Sequence, residues 1–175
     1  MSFVKRPYEN ESLKNFFAIT KEVGYLCEIK QNKYLGEILV RPQVEDFFDF
    51  QGIKAFRHSH WTYNHLHFST QVPARIPYLV SEPVSFDNDF WKKTTMITVS
   101  EDVTIFDRFT ELEYMFVDSL VNHTNISWDG YFHGEDDLIE GIKDQMKNLS
   151  TKFPIDQEKV WREVLTKNPS LLPYK

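Results

Sequence analysis

Four histidines within ten residues are the strongest candidates for chemistry in this sequence. His58 and His60 stand two residues apart, and so do His65 and His67. Alternate residues of a β-strand share one face, so each pair would point in one direction if the segment is extended. If residues 61–64 form a hairpin loop, the two pairs face each other, and four imidazoles can then bind zinc or another transition metal.

Other signals for catalysis are weak. The same histidine spacing also fits a surface hairpin whose imidazoles are solvated or packed against Trp61 and Tyr63. Cys27 lies on a predicted strand without a neighbouring histidine, which favours a buried, unreactive thiol. The sequence contains no G-x-S-x-G elbow, no G-x-G-x-x-G fingerprint and no phosphate-binding loop. We therefore expect no catalytic residues and lean towards a protein that is not an enzyme.

The acidic residues are concentrated in one stretch of the chain. Residues 101–140 contain Arg108 as their one basic residue and eleven Asp or Glu, although the whole chain has a net charge of −6. Such a concentration repels nucleic acid and attracts basic partners. The alternative is a solvated helix face that keeps the protein soluble. Because no basic stripe is present, we expect no direct binding of DNA or RNA.

An aromatic motif follows in the same stretch. The sequence Trp128-Asp129-Gly130-Tyr131 lies in a predicted strand over residues 126–132, and Asp-Gly favours a turn or a bulge there. Asp129 could accept a hydrogen bond from a nearby backbone N–H. The two aromatic residues are either an exposed recognition patch or part of a structural corner with both rings in the core.

The surrounding pattern predicts a mixture of helices and strands. We expect an N-terminal helix up to residue 23, then a hairpin around residues 31–33, and extended structure over residues 53–80. Residues 44–50 fit a helix or a strand equally. Thr104 and Asp107 form an approximate capping box for an amphipathic helix. The remaining predicted elements are a strand over 94–99 and helices over 104–120, 136–149 and 156–165. This order favours an α+β fold, an antiparallel sheet with helices packed on one face.

Length and hydropathy limit the class of protein. The 175 residues predict a single domain over residues 1–175, long enough to bury a core without a disulfide or a structural metal. No apolar run is long enough to span a membrane, and the first residues do not form a signal peptide. We therefore predict a cytoplasmic protein.

Residues 94–132 resemble the C-terminal half of the family of protein regulators of ribonuclease E activity, type B. In that family a strand leads into an amphipathic helix and then into a Tyr-Asp-Gly-Trp strand, and here Trp128-Asp129-Gly130-Tyr131 carries the same Asp-Gly with the aromatic residues exchanged. The family's acidic tail corresponds to Glu135, Asp136 and Asp137. The resemblance, which we extend over residues 94–150, implies a ferredoxin-like sandwich and a non-catalytic protein that binds and inhibits a ribonuclease.

The acidic stretch and the resemblance lead to one main hypothesis. The chain would bind a basic protein, such as an RNA-processing enzyme, without a cofactor. Trp128 and Tyr131 would serve as aromatic anchors. The carboxylates expected to contact the partner are Glu111, Asp118, Asp129, Glu135, Asp136 and Asp137. The alternative hypothesis is a metal-dependent enzyme or metal-binding protein that uses the histidine hairpin.

Overall fold

The computed structural model describes residues 3–5, 17–20, 26–40, 44–86, 89–127 and 131–175. Its elements are helices and strands in mixed order, which confirms the α+β character. The chain divides into two compact units. The first unit consists of Met1–Lys54 and Val84–Thr94, and the second of Ala55–Pro83 and Thr95–Lys175. The single domain expected from the chain length stays a prediction.

The first unit contains a four-stranded antiparallel sheet. Its strands are paired in chain order. They are β1 (Phe3–Lys5), β2 (Phe17–Thr20), β3 (Leu26–Asn32) and β4 (Gly36–Val40). The predicted hairpin is present, but its turn lies at residues 33–35 rather than 31–33, because Asn32 pairs with Gly36.

The expected N-terminal helix is wrong where the structure describes it. Residues 17–20 form β2 and pair with β1 and β3, and the sequence Phe-Ala-Ile-Thr has the aromatic and β-branched residues that strands favour. The rest of that expected helix lies outside the described residues.

Two helices supply the apolar cluster of the first unit. They are α1 (Val44–Gln51) and, later in the chain, α3 (Asp89–Thr94). Phe47 of α1 lies 5.3 Å from Trp91 of α3 between ring centroids, and Phe48 lies 6.2 Å from Phe86. Tilted aromatic pairs at these distances stabilise a fold by more than the burial of their apolar area alone. Residues 44–50, which fitted either element from sequence, form a helix that buries Phe48 in this cluster and packs the half-buried Phe47 beside Trp91.

The second unit contains a three-stranded sheet. Strand β5 (Ala55–Arg57) pairs antiparallel with β6 (Ile76–Val80), and β6 pairs parallel with β7 (Thr95–Val99). The expected antiparallel arrangement is therefore wrong for the β6–β7 pair. A parallel pair requires a long connection, and residues 81–94, which include α3, provide it.

Helices form the rest of the second unit. They are α2 (His60–His65), α4 (Ile105–Arg108), α5 (Glu111–Val121), α6 (Glu135–Ser150) and α7 (Gln157–Lys167), with 3-10 turns at His123–Asn125 and Pro169–Tyr174. The last two helices confirm the sequence prediction to within two residues at each end. The helices enclose a hydrophobic core. Its completely buried residues include Phe116, Leu120, Leu138, Ile139, Ile142, Val160 and Val164.

The helix predicted over residues 104–120 is two helices. Phe109 has extended backbone angles, φ −121° and ψ 148°, and ends α4. The capping box is formed by Thr110 and Glu113 rather than by Thr104 and Asp107. Thr110 Oγ1 accepts a hydrogen bond from the Glu113 N–H at 3.2 Å, and Glu113 Oε2 accepts one from the Thr110 N–H at 2.9 Å. These bonds satisfy N–H groups that a helix start otherwise leaves unpaired.

The strand expected over residues 126–132 is also wrong for its described residues. Ile126 ends the 3-10 turn, where its N–H donates to the His123 carbonyl, and residues 127, 131 and 132 are not in a strand. The three residues Trp128, Asp129 and Gly130 lie outside the described part of the chain.

Candidate functional site

The histidine-rich segment forms a corner between a strand and a helix. Strand β5 ends at Arg57, and α2 begins at His60. Between them Ser59 has φ 57° and ψ −139°, a backbone conformation that residues other than glycine rarely adopt. Such strain persists only where surrounding contacts hold it. We call residues 57–60 the β5–α2 corner.

Glu111 holds this corner from one side. Its Oε1 accepts hydrogen bonds from the Arg57 N–H at 2.9 Å and from Arg57 Nε at 2.8 Å, and its Oε2 accepts one from Arg57 Nη2 at 2.9 Å. Burial acts to raise the pKa of Glu111, but these hydrogen bonds and the Arg57 charge outweigh it and lower the pKa. Glu111 is therefore already paired with Arg57, although 31% of its side chain is exposed. Its expected contact with a partner stays a prediction.

Asp118 holds the corner two helical turns further along α5. Its Oδ2 accepts a hydrogen bond from the Ser59 N–H at 2.6 Å, and its Oδ1 accepts one from Asn122 Nδ2 at 2.9 Å. Only 6% of Asp118 is exposed, and this burial raises the pKa of its carboxyl group. The expectation that Asp118 contacts a partner is therefore wrong for this structure, because the carboxylate is enclosed where α5 packs against the corner.

A buried polar cluster surrounds Asp118. His58 Nε2 is buried and has no hydrogen-bond partner among the described residues. Burial lowers the pKa of His58, and the nearby Asp118 charge opposes that shift. Burial and the same carboxylate raise the pKa of Tyr63 and of Tyr114. The corner and the residues packed against it thus include titratable groups whose protonation depends on one another.

The expected histidine hairpin is wrong. The segment from His60 to His65 is α2, so the two histidine pairs do not face each other across paired strands. His65 stacks on Trp61 instead, with ring centroids 4.5 Å apart and planes 16° apart. No group of three His, Cys, Asp or Glu that could hold a metal ion occurs among the described residues. Metal analysis of untagged protein tests the metal hypothesis directly.

An aromatic and cationic stack lies beside a cavity, and two of its members, Arg57 and His65, line that cavity. The Arg57 guanidinium lies 4.3 Å from the centre of the Trp61 ring, and Trp61 in turn stacks on His65. The cavity has a volume of about 400 Å³. Its lining is provided by the end of α2 with the residues that follow it, by the start of α5 and by the second half of α6 with the turn after it.

The acidic first turn of α6 is the second candidate surface. Glu135, Asp136 and Asp137 are all exposed. Glu135 Oε1 lies 2.7 Å from His123 Nε2, and Asp137 Oδ2 accepts a hydrogen bond from the His133 N–H at 2.9 Å. We call these three carboxylates the acidic turn. They lie together at the end of one helix, as the sequence pattern predicted.

Residues near the acidic turn complete this surface. Tyr174 donates its hydroxyl to Asp136, so the C-terminal 3-10 turn also supports the helix start. Tyr131 is 59% exposed, so its ring is accessible to a partner. Trp128 and Asp129, which we expected to act with Tyr131, lie outside the described residues.

Sequence reasoning missed the residues that build the corner. Arg57, Ser59 and Asn122 were not singled out, although Glu111 and Asp118 stand seven residues apart and therefore on one face of a helix. That spacing indicates that both carboxylates contact the same neighbouring segment. It does not indicate which segment of the chain packs against this face of the helix.

Comparisons with known proteins give no relative. No protein-family model, no curated protein and no solved structure matches the chain significantly. The resemblance to the ribonuclease E regulators stays a prediction. In the part of the chain that the structure describes, no helix combines the length and the apolar character needed to cross a membrane.

Proposed function

We propose that this chain is a non-catalytic acidic protein that binds a basic protein partner through the acidic turn of α6. The partner class that we favour is an RNA-processing enzyme, as the resemblance to the ribonuclease E regulators implies. The observation that carries the proposal is the arrangement of Glu135, Asp136 and Asp137. All three are exposed, consecutive and held by contacts within the chain.

Positioning of the carboxylates supports binding rather than mere solubility. Each of the three is contacted by a group outside α6, namely His123, the His133 N–H or Tyr174. A side chain that is already positioned loses less conformational freedom when a partner binds. An ionised carboxylate has about four lone-pair sites, so one internal bond leaves room for contacts from lysine or arginine.

The neighbouring surface supports the same proposal. Exposed Tyr131 precedes the acidic turn by four residues, and tyrosine is enriched among the residues that contribute most to protein interfaces. Asp118 is excluded from the proposed interface because it holds the β5–α2 corner. Glu111, Trp128 and Asp129 remain proposed contacts. A ferredoxin-like fold and a cytoplasmic location belong to the same proposal.

Association kinetics with purified ribonuclease E test this function. The variant Glu135→Gln/Asp136→Asn/Asp137→Asn removes the three charges and keeps the side-chain shapes. The control Glu101→Gln/Asp49→Asn/Asp144→Asn makes the same charge change at three other exposed residues. Because opposite charges steer encounter, we expect the acidic-turn variant to associate about tenfold more slowly at about 50 mM salt, and the control less than about twofold.

The salt dependence provides a second readout. Raising the salt to about 500 mM should slow the wild type and leave the acidic-turn variant nearly unchanged. Equal association rates for the wild type and the acidic-turn variant would contradict the proposed surface. Absence of binding to ribonuclease E would contradict the proposed partner, and affinity capture with the wild type and both variants would then look for another basic protein that only the acidic-turn variant fails to retain.

A further inference from the structure

The cavity beside the β5–α2 corner is lined by both apolar and polar side chains. Five of the lining side chains are apolar, and they come from the residue after α2, from α5, from α6 and from the turn after α6. They are Leu66, Leu112, Met115, Leu149 and Phe153. A volume of about 400 Å³ lies within the range of small-molecule sites, which are lined mainly by apolar side chains with a few polar groups. The apolar part of the lining therefore suits a compact hydrocarbon group.

The charged side chains of the lining are paired with each other. Arg57 and Glu111 both line the cavity, and their paired hydrogen bonds offset the two charges. Although His65 is partly open to solvent, partial burial and then the Arg57 charge lower its pKa, so its imidazole is mainly neutral at neutral pH. A charged ligand would find no opposite charge here that is not already paired with its neighbour, so it would gain no new ion pair.

Three further side chains of the lining can form hydrogen bonds with a ligand. The side chains of His65, His67 and Gln145 line the cavity and form no hydrogen bond with any other residue that the structure describes. The Trp61 ring stacks on the His65 ring, and the Arg57 guanidinium lies over the Trp61 ring. These contacts hold His65 in place. His67 has φ 65°, and its N–H donates to the Asn64 carbonyl at 3.0 Å.

We propose that this cavity is a binding site for a small uncharged amphiphile, a molecule with one short hydrocarbon group and one neutral hydrogen-bonding group. The hydrocarbon group contacts Leu112, Met115 and Leu149, and the polar group bonds to Gln145 and the two imidazoles. The Arg57–Glu111 pair stays intact. This site is separate from the acidic turn and does not depend on the proposed function.

Methyl NMR with 1-octanol as the probe tests the site. Protein labelled with ¹³C at the methionine methyl groups reports the cavity through Met115, which lines it, whereas exposed Met96 on β7 does not line it. We expect a saturable shift of the Met115 methyl signal and none at Met96. Octanoate and octylammonium, which differ from 1-octanol only in the charged head, should bind at least about tenfold more weakly.

Two variants separate the cavity from non-specific binding. Leu149→Trp fills the cavity and should weaken 1-octanol binding at least about tenfold, while Leu165→Trp, at a partly buried leucine that does not line it, should leave binding nearly unchanged. Gln145→Ala removes one hydrogen bond and should weaken binding about fivefold, compared with the exposed control Asn148→Ala. The methyl signals of buried Met146 and of Met96 in the free variants show that each one is folded.

The proposal fails on any of three results. The first is the absence of a Met115 shift up to the solubility limit of 1-octanol. The second is equal binding of 1-octanol by wild type, Leu149→Trp and Gln145→Ala. The third is binding of octanoate or octylammonium as tight as that of 1-octanol, which would identify a charged ligand instead.

Discussion

At the scale of single residues, the roles inferred for two carboxylates change once the groups that they bond to are known. Glu111 and Asp118 belong to the acidic stretch and looked like exposed contacts for a basic partner. In the structure Glu111 bonds to Arg57, and Asp118 bonds to the Ser59 N–H. Composition counts charges but does not say which of them are enclosed. The function of an acidic residue therefore follows from its burial and partner, not from the charge of its segment.

Replacing Asp118 tests how the β5–α2 corner is held. Asp118→Ala leaves the Ser59 N–H and the Asn122 amide without their acceptor in a nearly buried site. An unsatisfied buried group costs about 1–3 kcal/mol, so we expect the free energy of unfolding to fall by about 2 kcal/mol. Urea denaturation measures it. The exposed control Asp144→Ala should change the value by less than about 0.5 kcal/mol, and equal effects would contradict the assigned role.

Two histidines, His58 in the β5–α2 corner and His65 at the end of α2, predict a dependence of stability on pH. Burial lowers the pKa of His58 in the folded state, and partial burial with the nearby Arg57 charge lowers the pKa of the more exposed His65. As the pH falls below the ordinary imidazole pKa of about 6.5, the unfolded chain takes up these protons first, so stability present above that pH is lost. Asp118 acts in the opposite direction, because burial raises its pKa and the folded state keeps that proton to a higher pH than the unfolded chain does.

Comparison of variants isolates the histidine contribution. Urea denaturation at about pH 7 and about pH 5 should show a larger loss of stability for the wild type than for His58→Gln/His65→Gln. The control His133→Gln changes an exposed histidine and should lose as much as the wild type. An identical pH dependence in all three proteins would show that the two imidazoles titrate alike in folded and unfolded chains.

At the scale of elements, local signals predicted what depends on nearby residues. The amphipathic patterns of α6 and α7, the β3–β4 hairpin and the strand β7 were all predicted from sequence, because periodicity and turn residues act within a few positions. The parallel pairing of β6 with β7 was not predicted, because it depends on where the chain returns to the sheet after fourteen intervening residues. Polar and aromatic residues alternate in the segment His60–His65, as they would in a strand. The segment forms the helix α2 instead, next to the corner that α5 holds.

The start of α5 offers a test between two similar sequences. Thr104 and Thr110 are each followed three residues later by an acidic residue, but only Thr110 forms a capping box with that residue. Thr110→Ala should lower the free energy of unfolding by about 1 kcal/mol. Thr104→Ala should have a clearly smaller effect, as measured by urea denaturation. The reverse order would mean that the helix begins at Thr104, as the sequence alone suggested.

A glycine in the middle of α6 provides a second test. Glycine usually weakens a helix by about 1 kcal/mol relative to alanine. A Cβ at Gly141, however, would clash with the ring of Phe132, which packs beside it. Gly141→Ala should therefore lower the melting temperature rather than raise it, because overpacking costs about 1–3 kcal/mol. At Gly134, the N-cap of α6, a Cβ would meet open space, so Gly134→Ala should lower the melting temperature less than Gly141→Ala, by the cost of an alanine N-cap alone.

At the scale of the whole molecule, charges that are separate in sequence partly neutralise each other. The basic C-terminal part of the chain supplies Lys159, whose Nζ lies 2.6 Å from Glu113 Oε2. In the other direction, Arg108 of the acidic stretch lies 2.8 Å from Glu163 Oε2. The exposed negative surface is therefore smaller than the number of acidic residues in 101–140 indicated. Within that surface, the acidic turn keeps three neighbouring carboxylates exposed.

The division into two units leads to the last prediction. Phe48 of α1 is 1% exposed among the rings of the first unit, and Phe116 of α5 is completely buried in the core of the second. Removing a buried phenylalanine side chain costs about 3–5 kcal/mol. If each unit has its own core, Phe48→Ala should speed amide hydrogen exchange in α1 and leave α5 and α6 unchanged, and Phe116→Ala should do the reverse. Mass spectrometry of exchanged peptides measures this pattern, and equal acceleration in α1 and α5 by both variants would instead support the single cooperative domain that the chain length predicts.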